Sequence, residues 1–125
     1  MAALTAERIT REFAGNLLAL EVAASKKIYA GAMVGIASGK ATPATSSVKA
    51  VGIAQNTAEA GETVKVKAGV FAVENDDAAA AQIGTVLYVK DDQTVTKTGT
   101  AGTTATAGIL LGFDEDGLAI VKFDL

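Results

Sequence analysis

Proton transfer near neutral pH is mostly the work of histidine, and thiol nucleophiles and tetrahedral metal sites need cysteine or histidine. This chain of 125 residues contains neither, and no tryptophan. What remains are hydroxyls, amines and carboxylates. Ser25 precedes Lys26, and Ser38 stands two before Lys40, spacings of the kind a Ser–Lys nucleophile would need. Both serines sit among glycines or small residues, the setting of loop serines, as do Ser46 and Ser47. Gly35-Ile-Ala-Ser-Gly39-Lys40-Ala41-Thr42 approaches a phosphate loop. Its spacing is one residue short, however, and Ala41 replaces the required hydroxyl.

The acidic clusters are no closer to a site. Asp114-Glu-Asp-Gly117 could open a calcium loop, but the closing Glu is missing and Leu118 to Phe123 reads as a strand. A turn is the plainer reading. Asp91 and Asp92 are adjacent, so in a strand they point to opposite faces, unlike a glycosidase couple. Lys65 and Lys67 fall in mid-strand, whereas a biotinyl or lipoyl lysine sits at a hairpin tip. The chain is therefore expected to be no enzyme, with no cofactor and no metal.

The elements that carry these residues are mostly β. Val64 and Val66 alternate with Lys65 and Lys67, a half-buried strand. Gly69 to Glu74 continues it, with Val70, Ala72 and Glu74 on one side and Phe71 and Val73 on the other. Strands are also expected over Lys27–Ala37 (broken or bent at Gly31 and Gly35), Val48–Gln55, Thr85–Lys90, Thr94–Thr98, Ala107–Phe113 and Leu118–Phe123. Gly39 to Ser47, with the only proline, Pro43, reads as a loop. Asn75 or Asp76 can cap a short helix near residues 76–82, rich in Ala and closed by Gly84. The fold class is mainly β: a small antiparallel β-barrel or β-sandwich of roughly seven to nine strands, with an N-terminal arm and that one short helix.

Two segments echo each other. Gly31-Ala-Met-Val-Gly-Ile-Ala resembles Gly84-Thr-Val-Leu-Tyr-Val-Lys. Gly52-Ile53 leads to Gly61 and Val64 much as Gly108-Ile109 leads to Gly117 and Ile120. Two similar β-halves closing into a barrel would produce this. So would chance in a chain rich in Gly and Val.

Residues 1–24 read as an arm and residues 25–125 as a single β domain. The arm holds both arginines, Arg8 and Arg11, and the apolar Ile9, Phe13, Leu17, Leu18 and Leu20. Thr5 to Ala14 suits a short helix or an extended segment that orders on a partner. Arginine and aromatic residues favour protein interfaces. Arg8, Ile9, Arg11, Phe13 and Leu17 are therefore the candidate contact residues. A net charge of -3 gives no positive field for nucleic acid. No window approaches the ~18 apolar residues of a membrane span. The start of the chain lacks the pattern of a secretory signal, so a soluble, cytosolically made protein is expected.

The runs Ile9-Thr-Arg-Glu-Phe13, Lys27-Ile-Tyr-Ala-Gly-Ala-Met-Val-Gly35, Val51-Gly-Ile-Ala54 and Leu87-Tyr-Val-Lys-Asp-Asp-Gln-Thr-Val-Thr-Lys97 resemble the capsid cement, or head decoration, proteins of tailed bacteriophages and prophages. The resemblance spans about Ile9 to Phe123. It implies a structural protein on the outer surface of a virion, made in the bacterial host cytoplasm. Its partner would be the major capsid protein, bound through the Arg8–Phe13 arm. A homo-oligomer is implied, a trimer before a dimer, with no nucleic acid or membrane partner. The alternative is a virion or surface-located β module that binds carbohydrate or another ligand.

Overall fold

The computed structural model describes Ala6 and residues 15–124. The helix-or-arm choice at Thr5–Ala14 falls outside this range, apart from Ala6. Among the described residues there are twelve strands. The first half holds β1 (Leu17–Glu21), β2 (Lys27–Ile28), β3 (Met33–Ala37), β4 (Lys40–Pro43), β5 (Ala50–Ala54), β6 (Ala58–Glu59) and β7 (Thr63–Lys67). The second holds β8 (Gly69–Asn75), β9 (Val86–Val89), β10 (Thr94–Thr96), β11 (Thr106–Phe113) and β12 (Ala119–Phe123).

The two halves repeat one design. The first is a five-stranded sheet in the order β1-β7-β5-β3-β4, and the second is a closed barrel in the order β8-β12-β11-β9-β10. Each position in one order has its counterpart in the other. Leu17 pairs with Lys67 where Val70 pairs with Lys122, and Val34 pairs with Gly52 where Leu87 pairs with Gly108. Both halves place a bulge at the same point, at Val51 against β3 and at Ala107 against β9. A bulge sharpens twist and helps a short sheet curl onto itself. The glycine that follows it is needed for packing. A Cβ on Gly52 would stand 2.6 Å from the Lys67 carbonyl oxygen, and one on Gly108 would stand 2.2 Å from that of Lys122.

Turn chemistry repeats too. Gly31 and Gly84 both take positive φ, at 91° and 90°. Their N–H groups donate to the carbonyls of Ala54 and Leu110, at 2.9 and 2.8 Å. The repeat suggested by sequence is thus a repeat of structure. Each half builds its own closed or nearly closed sheet, and the two do not combine into a single barrel.

The halves differ in closure. In the second, β8 and β10 run parallel and pair at Thr94–Glu74 and Val95–Asn75. In the first, a single parallel bridge joins Val22 to Ala41. The cores are correspondingly unequal. The smaller contains Val22, Ile28, Val34, Val64 and Val66. The larger fills the second half with Leu87, Val95, Leu110, Val121 and Phe123, and reaches across to Met33, Ala50 and Ile53 of the first. Phe71 tilts 52° against Phe123 at 6.4 Å between ring centres.

Three expectations change. Lys40–Pro43 is a strand, with Ser38-Gly39 as the two-residue hairpin tip. Both tip residues have positive φ, 52° and 78°, as a primed hairpin turn requires. Pro43 is accommodated because β4 is the outermost strand of its sheet. The short helix is a single 3₁₀ turn, Ala80–Gln82, introduced by an Asn75 side chain that bonds both the N–H and the carbonyl of Ala78. Finally, Leu17–Glu21, counted with the arm, is a body strand paired along its whole length to β7.

Candidate interaction surface

The residues weighed for chemistry are occupied in holding turns. Ser25 and Ser38 both sit at left-handed backbone positions, φ 64° and 52°. Lys40 pairs with Glu21 on the neighbouring β1. Asp91 accepts the Gln93 N–H through Oδ1 at 3.0 Å, and the Asp92 carbonyl accepts the Met33 N–H at 2.7 Å. Asp114 Oδ1 accepts the N–H groups of Asp116 and Leu118, which fixes the last hairpin. Lys65 and Lys67 lie on the exposed face of β7 while Val64 and Val66 are buried. Among the described residues, no group of three or more His, Cys, Asp or Glu comes together to hold a metal ion. No helix there is long and apolar enough to cross a membrane.

One carboxylate is strongly perturbed. Asp77 accepts the Thr98 hydroxyl at 2.5 Å, the Lys97 N–H at 2.7 Å and the Thr96 hydroxyl at 2.8 Å. These bonds, that of Thr98 foremost, lower its pKa from 3.8 to about 2, and burial opposes them. The group ties the loop after β8 to the end of β10 and so locks the closure of the second half. Its counterpart in the first half is Ala24, which cannot make such a tie. The role is structural: every acceptor bond goes to the protein's own donors.

The molecule's other distinctive feature is apolar surface. Leu17, Val70, Val86, Ile109 and Leu111 are large and exposed. Leu17, a candidate contact residue, lies at the start of β1 and is 49% exposed. The Asn16 carbonyl just before it accepts the Ala68 N–H at 2.8 Å, which holds the start of β1 beside the junction of the halves. Arg8, Ile9, Arg11 and Phe13 lie outside the described residues. The reading of sequence did not select Val70, Val86 or Ile109. For Val70 a signal existed, since it shares a strand face with Glu74, which must be solvated. For Val86 and Ile109 there was none, because only the packing of the halves decides which outer face stays bare.

The features so far define a β-repeat protein with bare apolar positions on its strands, in which Asp77, Asp91 and Asp114 hold turns and loops. A family model described as phage cement protein matches residues 14–121, and the chain belongs to that family. Membership makes it a structural, capsid-associated protein of a bacteriophage virion. The matched stretch begins after Phe13, so the Ile9–Phe13 run is not part of it. No curated protein and no solved structure matches the chain.

Proposed function

We propose that this protein cements an icosahedral head: it binds the outer face of the assembled shell as a homo-oligomer and ties neighbouring major capsid protein subunits together. The observation that carries the reading is the family match across nearly the whole β body. The absence of histidine and cysteine supports it by removing the commonest catalytic groups. The leading segment is the part that engages the shell. Arg8, Ile9, Arg11, Phe13 and Leu17 supply the charged and apolar side chains for that contact. An extended segment can add a strand to a sheet edge and gain main-chain hydrogen bonds. An oligomer that holds several shell subunits at once gains through effective concentration, so each contact can be weak.

The test is saturable binding of the purified protein to expanded, undecorated heads, with a glycan panel in parallel. Saturation on heads and none on glycans is the expected result. Binding to glycans alone removes the cement reading in favour of a carbohydrate-binding module. Deleting residues 1–14 leaves β1 intact and is expected to preserve the circular dichroism spectrum while abolishing head binding. Unchanged affinity would reject the role given to the leading segment.

A further inference from the structure

The repeat contains an asymmetry of burial. In the first half, the outer face carrying Met33, Ala50 and Ile53 is buried against the second half, with Met33 at 0% and Ile53 at 5% exposure. The matching positions of the second half are Val86 and Ile109, and they are 49% and 40% exposed. These two pair directly, Ile109 pairs with Lys122, and Lys122 pairs with Val70. They form one bare row across four strands of the barrel. Lys122 lies within the row, between Ile109 and Val70, and Lys49, Lys122 and Asp124 line a shallow groove beside Val86 and Ile109.

Had the halves met about a two-fold axis, matching faces would be covered together. They are not, so the joint is heterologous: a face of the first half sits on a different surface of the second. Such a joint leaves one surface of each kind unmated. The second half keeps the bare row. The first half keeps the counterpart of whatever surface the second half uses.

The geometry points to a second copy of this chain as the occupant: the bare pair Ile109–Val86 takes the first half of another copy, head to tail, repeating between chains the joint already made within one. The occupant is argued from that internal joint, in which a first-repeat face of the same design is covered by a neighbouring repeat. Contacts of this kind close into a ring when the rotation allows and otherwise extend. The inference deepens the homo-oligomer part of the proposed function and does not depend on shell binding.

The test uses the full chain with the photo-cross-linker p-benzoylphenylalanine at position 109, in mixed isotope-labelled and unlabelled protein, both in solution and on heads. Cross-links from 109 to residues 15–68 of another copy are expected. Ile109→Asp and Val86→Asp, both at exposed positions, are expected to weaken self-association by about tenfold or more, with unchanged circular dichroism. Three outcomes overturn the proposal: cross-links to residues 69–124 of another copy, cross-links only to the major capsid protein, or a monomer without cross-links in both settings. Head binding measured on the same samples separates the two readings. Saturable head binding without the 109 cross-link defeats this interface alone. Retained cross-links without head binding defeat the cement reading alone.

Discussion

The two halves share strand order, register and bulge, yet one is a closed barrel and the other is held by a single bridge. The difference lies in a few side chains at matching positions. The second half has Phe123 and Asp77 where the first has Ala68 and Ala24. An aromatic ring fills the second barrel, and a carboxylate fastens its seam. The first half instead lends Met33, Ala50 and Ile53 to its neighbour's core. One topology thus supports a half with a small core of its own and a half whose larger core is completed by its neighbour.

Removing the ring should break that contrast most strongly. Phe123 is 1% exposed and packs on Phe71. Phe123→Ala is expected to cost about 3–5 kcal/mol in denaturant unfolding. Leu20→Ala, at a half-buried position of the first half, is expected to cost clearly less. Equal losses would mean that the larger core does not dominate stability.

The glycine pair tests whether the shared design is under equal strain. Gly52→Ala and Gly108→Ala each drive a methyl into a partner carbonyl, so each is expected to destabilise by about 1–3 kcal/mol. The closer approach at Gly108, 2.2 Å against 2.6 Å, makes it the more costly of the two. Thermal unfolding of both variants measures the order. A neutral Gly108→Ala would show that β11 and β12 can separate without penalty.

Asp77 gives the contrast a pH dependence. Its folded pKa of about 2 lies below the ordinary 3.8, so its charged form is favoured by folding. The stability it contributes is fully present above about pH 4 and is lost as pH falls from there towards 2. Asp77→Asn should therefore flatten the acid loss of stability in that window, and hydrogen exchange in β10 should rise towards that of β4. An unchanged acid profile would remove Asp77 as the fastener of the second seam.

Much of this was legible in sequence. The Val64/Lys65/Val66/Lys67 alternation, the Asp91–Gln93 and Asp114–Gly117 turns and the paired Gly31/Gly84 pattern are local signals, and local chemistry sets those elements. Lys40–Pro43 was missed because proline and serine read as loop, while its strand character comes from pairing to β3 and from an outer position that needs no proline N–H. The helix near residue 80 shrank to one turn because Thr85 and Val86 must return at once to the barrel. The bare pair Val86–Ile109 was illegible for a deeper reason. These two residues match Met33 and Ile53 in register, and only the long-range joint buries one set and leaves the other open.

The smallest expected effect concerns the ion pairs beside the two seams. Lys40 pairs with Glu21 at the first, and Lys90 with Asp76 at 3.2 Å at the second. All four side chains are well exposed, so water and salt screen each pair. Lys40→Ala and Lys90→Ala should each cost no more than about 1 kcal/mol, less at high ionic strength. The seams have other ties. The Ala23 N–H donates to the Ala41 carbonyl at 2.9 Å, and the Asp76 N–H to that of Val95 at 3.0 Å. Those bonds survive either substitution. If Lys40→Ala nonetheless loosened β4 sharply in hydrogen exchange while Lys90→Ala left β10 untouched, the first seam would rest on its ion pair. The weaker closure of that half would then be electrostatic, and its opening would follow salt concentration in a way the Asp77-fastened seam does not.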